Sequence, residues 1–166
     1  MNNNNLNTFP MKINKLLLLI AFISISNLAK AQLYKSALGI RLGPSNGITY
    51  KTFISKNAAI EAIGTFRYQG IGLTGLYEIH GKAFNSRDFN WFIGGGGHVY
   101  VWGDNRPKFL DREQKMVLGL DGILGLEAKV RGIPLAISLD WKPTINIINY
   151  GGFWGDEIAL SLRYTW

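Results

Sequence analysis

The chain has 166 residues, 47% of them hydrophobic and only 17% charged, with 20 glycines and no cysteine. That composition excludes a disordered chain, a disulfide scaffold, a thiolate metal site and a lipid anchored through cysteine. The formal charge of +7 includes Lys12, Lys15 and Lys30; without those three lysines, fifteen basic residues face 11 acidic ones, or +4, too mild for a nucleic-acid binder.

Residues 1–31 read as a secretory signal peptide. Lys12 and Lys15 form the basic start, and a Leu/Ile-rich run follows from Leu16 to Ile25. Ala29 and Ala31 are the small residues a signal peptidase reads, which puts cleavage before Gln32. The apolar run is about half of the roughly 20 residues a spanning helix needs. The asparagine-rich preface makes either Met1 or Met11 the start. Residues 32–166 then form one domain.

From Gln32 onward the dominant signal is alternation, which in a strand separates side chains onto two faces. Tyr34, Leu38, Ile40 and Leu42 oppose Lys35, Ala37, Gly39 and Arg41. Ile48, Tyr50 and Ile54 oppose Thr49 and Lys51; Ile60, Ala62, Phe66 and Tyr68 oppose Glu61, Thr65 and Arg67. Leu73, Tyr77 and Ile79 oppose Gly72, Thr74, Glu78 and His80. Trp91, Ile93, Val99 and Val101 form a fifth apolar face, whose reverse (Phe92, Gly94, Gly96, His98, Tyr100, Trp102) is ambiguous. Leu118, Leu120, Leu124, Leu126 and Val130 oppose Asp121, Glu127 and Lys129. Leu135, Ile137, Leu139 and Trp141 oppose Ala136, Ser138, Asp140 and Lys142. Ile158, Leu160, Leu162, Tyr164 and Trp166 oppose Ala159, Ser161 and Arg163. The expectation is an all-β chain of eight antiparallel strands, long enough to cross a bilayer at a tilt.

Turns lie at Gly43-Pro44-Ser45-Asn46-Gly47 and Arg131-Gly132-Ile133-Pro134. A four-residue loop at the second pairs Val130 with Leu135 and Ile123 with Lys142, leaving Asp121 diagonal to Lys142. The longest connections are expected at 103–115 and 143–155.

Alternation fits a membrane barrel and a soluble lipocalin-like ligand-binding barrel equally; the charges separate them. None falls on an apolar face. Lys35, Arg41, Lys51, Arg67, Lys129, Lys142 and Arg163 share the other face with Glu61, Glu78, Asp121, Glu127 and Asp140. That face is otherwise rich in Gly, Ala, Ser and Thr, as a narrow interior holding paired ions requires. Aromatics near strand ends (Tyr34, Tyr68, Trp91, Trp141, Tyr164, Trp166) read as interfacial girdles on the apolar side. With both chain ends periplasmic, an even strand count puts the long connections outside the cell.

Two stretches carry a resemblance. The ending with Leu160, Leu162, Tyr164 and terminal Trp166 resembles the C-terminal assembly signal of outer-membrane barrels, although Phe is the commoner last residue. The run 119–147, with Asp121-Gly122, Gly132-Ile133-Pro134-Leu135 and Ser138-Leu139-Asp140-Trp141-Lys142-Pro143, looks like small outer-membrane barrels of the Bacteroidota. In size the chain is similar to the OmpA/OmpX-type eight-stranded group. The resemblance implies an outer-membrane location, lipid and lipopolysaccharide as surroundings, the barrel assembly machinery as a biogenesis partner and a monomeric state. It implies no catalytic residue and no cofactor.

Chemical motifs are weak. Gly70-Ile71-Gly72-Leu73-Thr74-Gly75 spells a dinucleotide fingerprint, but a strand follows it where a helix is required. Gly94–Gly97 lacks the lysine of a phosphate loop. His80 and His98 are too far apart in the strand pattern to share a metal. His98 with Ser45 or Asp104 is the nearest set to a lipid A-modifying enzyme. Arg106, Lys108 and Arg112 in the 103–115 connection are candidates for lipopolysaccharide phosphates. The leading expectation is a non-enzymatic integral outer-membrane protein serving envelope integrity or surface interaction; a narrow small-solute conduit is the second.

Overall fold

A computed structural model describes residues 34–67, 70–84, 86, 88–102, 116–149 and 152–166. The signal segment with Ala29, Ala31 and Gln32, and the 103–115 connection, lie outside the described residues.

Period-two patterning yields ten strand segments: β1 (Ser36–Leu42), β2 (Asn46–Phe53), β3 (Ala58–Arg67), β4 (Gly70–Lys82), β5 (Phe89–Trp102), β6 (Met116–Lys129), β7 (Leu135–Trp141), β8 (Thr144–Ile148), β9 (Gly152–Trp154) and β10 (Ile158–Thr165). They make eight wall positions. β7 and β8 both pair with β6, and β9 and β10 continue the wall beside them. Pro143 has no N–H to give the ladder, so the wall strand breaks there. Lys142 N bonds Glu157 O at 2.8 Å and Gly122 N bonds Pro143 O at 2.9 Å, bridging the break. The 143–155 stretch, expected as a loop, is therefore largely wall: Ile145 pairs with both Leu120 and Phe153.

Every pairing is antiparallel, β6 is shared by β7 and β8, β7 also pairs with β10, and β1 with β10 closes the ring. Closure pairs β1 to β8 and β10 on both sides, which protects their edges. The 131–134 turn has the expected register: Val130 N bonds Leu135 O at 2.9 Å, and Leu124 faces Trp141. Gly132 takes φ +80°, open to glycine at little cost.

The alternation places the apolar faces outside. Ile71 is 63% exposed and Leu160 48%, whereas Arg163 and Lys51 are 0% exposed. The ambiguous face of β5 resolves inward: Phe92, His98, Tyr100 and Trp102 are buried. Their rings use the space that glycines leave. A Cβ on Gly72 would fall 2.1 Å from the Tyr100 ring, and one on Gly70 would meet Trp102 at 2.6 Å. The fingerprint-like glycines are thus floor beneath aromatic rings.

One expected phase slips. Lys35 N and Ser36 N both donate to Trp166 O, at 3.0 and 2.9 Å. Two donors on one carbonyl insert a residue, as a bulge does. Tyr34 therefore turns inward and is buried, and Lys35 is exposed. Tyr34 is not a girdle residue and Lys35 is not an interior ion.

Leu38 faces Tyr164 across the closing seam. Directly opposed residues lie about 4.5–5.5 Å apart, within disulfide reach. Leu38→Cys with Tyr164→Cys is expected to form an intramolecular disulfide on mild oxidation, read by non-reducing mass mapping. Exclusively intermolecular crosslinks would contradict the seam.

Candidate functional site

The feature that distinguishes this molecule is its charged interior. One network lies toward the rim where Tyr34 and Trp166 sit. Arg163 on β10 is its centre. Its Nη2 donates to Glu61 Oε1 at 2.6 Å, and its Nη1 to Ser138 Oγ at 2.6 Å and Glu127 Oε2 at 3.3 Å. Its Nε donates to Thr49 Oγ1 at 3.3 Å, and Thr49 in turn donates to Glu61. Lys51 Nζ lies 3.0 Å from Glu61, 2.8 Å from Glu78 and 3.8 Å from Glu127. Tyr34 donates to both Glu127 oxygens, at 3.0 and 2.9 Å. His80 Nε2 lies 2.9 Å from Glu78 Oε2.

A second network lies farther along the tube. Asp121 accepts from Lys142 Nζ at 2.9 Å and Thr144 Oγ1 at 2.7 Å, and its other oxygen meets His98 Nδ1 at 2.8 Å. His98 Nε2 lies 3.0 Å from Asn146 Oδ1. Arg41 forms a bidentate pair with Asp140, at 2.6 and 2.7 Å. Ser45 donates to Glu157 Oε2 at 2.9 Å.

On the β3–β6 side an apolar group of Ile63, Leu76, Phe92 and Ile123 separates the Glu61–Glu78–Glu127 cluster from Asp121 and His98. Along β6, Ile123 sits between Glu127 and Asp121; along β4, Leu76 sits between Glu78 and Thr74. Phe92 stacks on His80 with centroids 5.2 Å apart, and Lys51 Nζ lies 4.1 Å from its ring centre. Tyr100, Trp102 and Val117 form a further buried apolar group beyond the second network.

The expected ion set divides as follows. Arg41, Lys51, Glu61, Glu78, Asp121, Glu127, Asp140, Lys142 and Arg163 are enclosed and bonded to one another. Lys35 is outside, for the reason given above, and Lys129 is half-buried and takes part in none of these bonds. The Arg67 side chain lies outside the described residues. Glu157, in the short connection between β9 and β10, is also enclosed, at 3% exposure, and joins the interior through Ser45.

The proposed catalytic set does not assemble among the described residues: Ser45 bonds Glu157, whereas His98 bonds Asp121 and Asn146. Asp104, Arg106, Lys108 and Arg112 lie outside the described residues. Among the described residues no group of His, Asp and Glu is arranged to hold a metal ion. At the chain-end rim Arg131 Nε donates to Asp88 Oδ2 at 2.6 Å, and that hydrogen bond raises the exposed guanidinium above its ordinary value.

Comparison of the chain with known protein families, curated proteins and solved structures finds no match.

Breaking an enclosed pair leaves an uncompensated charge. Arg163→Met, which strands Glu61 and Glu127, is expected to cost about 3–5 kcal/mol. Lys35→Met is expected to change stability by no more than about 0.5 kcal/mol. Urea midpoints followed by tryptophan fluorescence check both.

Proposed function

We propose that this chain is an integral outer-membrane protein, a filled and non-enzymatic barrel serving envelope integrity or surface interaction. The observation that carries the reading is the inversion of its side chains. Large apolar residues stand exposed around the wall, from Leu38 and Ile40 on β1 to Leu160 and Leu162 on β10. Leaving one such side chain in water costs about 1.5–3 kcal/mol relative to covering it. Hydrocarbon removes that cost for all of them together. A lipocalin-like barrel requires the opposite arrangement, with its apolar faces around a ligand. Here the interior holds arginine, lysine and carboxylates.

Closure supports the same reading, because lipid offers no partner for a free backbone group. So does the outer aromatic group near the chain ends. Tyr50 and Tyr164 ring centres lie 6.4 and 6.1 Å from Trp166, and such rings favour the membrane interface. The assembly-signal residues Leu160, Leu162, Tyr164 and Trp166 are all exposed on one face, open to a biogenesis partner. On this reading the chain is a barrel of the Bacteroidota kind, similar to the OmpA/OmpX group, monomeric, with periplasmic ends.

An eight-stranded interior is just wide enough for side chains to fill. The two ion networks and the Ile63–Leu76–Phe92–Ile123 layer fill this one, which favours a closed tube over a solute conduit. Function then belongs to the rims. Arg106, Lys108 and Arg112 are proposed to contact lipopolysaccharide phosphates. Replacing all three with Ala is expected to weaken lipopolysaccharide binding; unchanged binding would remove that contact.

The reading is tested by expressing the full chain in a Gram-negative host. Recovery in the outer membrane, an N-terminus at Gln32 and different gel mobility of boiled and unboiled samples are expected. Recovery as a soluble periplasmic protein without a mobility difference would overturn it.

A further inference from the structure

The network around Arg163 has an uneven charge count. Lys51 and Arg163 face three carboxyl groups, Glu61, Glu78 and Glu127, and all five side chains are 0% exposed. With each group in its ordinary charge state, one negative charge is left over where no solvent reaches. An enclosed uncompensated charge is too costly to persist, and the group neutralises instead.

The geometry locates the missing positive charge. Glu127 is supplied by the Tyr34 hydroxyl and Arg163. Glu61 accepts from Arg163 and Thr49 and also meets Lys51. Among the described residues Glu78 meets Lys51, shared with Glu61, and the His80 imidazole. His80 Nε2 lies 2.9 Å from Glu78 Oε2, and its Nδ1 has no hydrogen-bond partner. A neutral ring tolerates that; an imidazolium would strand a buried N–H. Glu61 Oε2 and Glu78 Oε2 converge on the one Lys51 ammonium, at 3.0 and 2.8 Å, and Glu78 Oε1 has no hydrogen-bond partner. Two enclosed carboxyl groups brought to one cation share a proton in the manner of carboxylate dyads.

We propose that Glu61 and Glu78, backed by His80, form a proton-binding site inside the barrel, with one solvent-derived proton held by this pair of carboxyl groups. The groups facing the pair are Lys51 on β2, His80 on β4, Glu127 on β6, Arg163 on β10 and Tyr34 before β1. The side chains contributed here by β5 and β7, Phe92 and Ser138, do not titrate. This site goes beyond the membrane reading and does not depend on what surrounds the wall.

The proton links folding to pH. The unfolded chain has released it near neutrality and the barrel retains it, so the folded state binds one proton more. Stability then falls as pH rises, by about tenfold in the folding equilibrium per pH unit. Glu78→Gln puts a neutral amide where the protonated carboxyl stands. It is expected to keep the urea midpoint at about pH 7 and to lose this slope between about pH 7 and about pH 9. Infrared spectra of the purified protein are expected to contain a protonated-carboxyl carbonyl band that Glu78→Gln lacks. The proposal is overturned by a wild-type slope equal to that of Glu78→Gln, or by a midpoint that follows sodium concentration and not pH, which would assign the missing charge to a metal cation. If Glu78→Gln fails to fold, the wild-type spectrum at about pH 7 decides. A protonated-carboxyl band supports the site, and its absence overturns it.

Discussion

Charges inside this barrel have no solvent to share, so each must find its partner across the tube. Arg163 shows how far that requirement reaches. Its guanidinium joins β10 to Glu61 on β3, Glu127 on β6, Ser138 on β7 and Thr49 on β2. Four wall strands are thereby held at fixed distances by one side chain. A guanidinium suits the task because its donors fan out in a plane and stay charged. The surrounding Gly, Ala, Ser and Thr make room for it. Small interior residues, a filled lumen and a ring of eight strands are one arrangement seen from three sides.

The interior is layered. On the β3–β6 side Ile63, Leu76, Phe92 and Ile123 separate the ions around Arg163 from Asp121 and His98, and these are followed by Tyr100, Trp102 and Val117. Apolar layers lower the local dielectric, which strengthens paired charges and penalises unpaired ones. The layering therefore sharpens the demand for complete pairing.

Much of this was legible in the sequence because a strand's period is two. The phase of each strand follows from a few residues, such as Leu160, Leu162 and Tyr164 against Ser161 and Arg163. The Arg131–Pro134 turn length sets the register that brings Asp121 to Lys142, now 2.9 Å apart. Features that depend on hydrogen-bond geometry were hidden. The two hydrogen bonds that Trp166 O accepts, from Lys35 N and Ser36 N, turn Tyr34 in and Lys35 out, and no composition signals them. The 143–155 stretch reads as a loop because Pro143 and Gly155 look like loop ends, yet β8 and β9 continue the wall there. The inner face of β5 was ambiguous because aromatics occur on both of its sides. Which ion meets which across the tube depends on strand stagger, a property of the closed ring and not of any one segment.

On the proposed reading the apolar wall faces hydrocarbon while the ions face one another. Spin labels on Ile71→Cys and Leu160→Cys, with the protein in lipid vesicles, test it most directly. High accessibility to oxygen, which partitions into lipid, together with low accessibility to a water-soluble nickel chelate is the result predicted at both positions. Equal or greater accessibility to the chelate would place those faces in water and contradict the account.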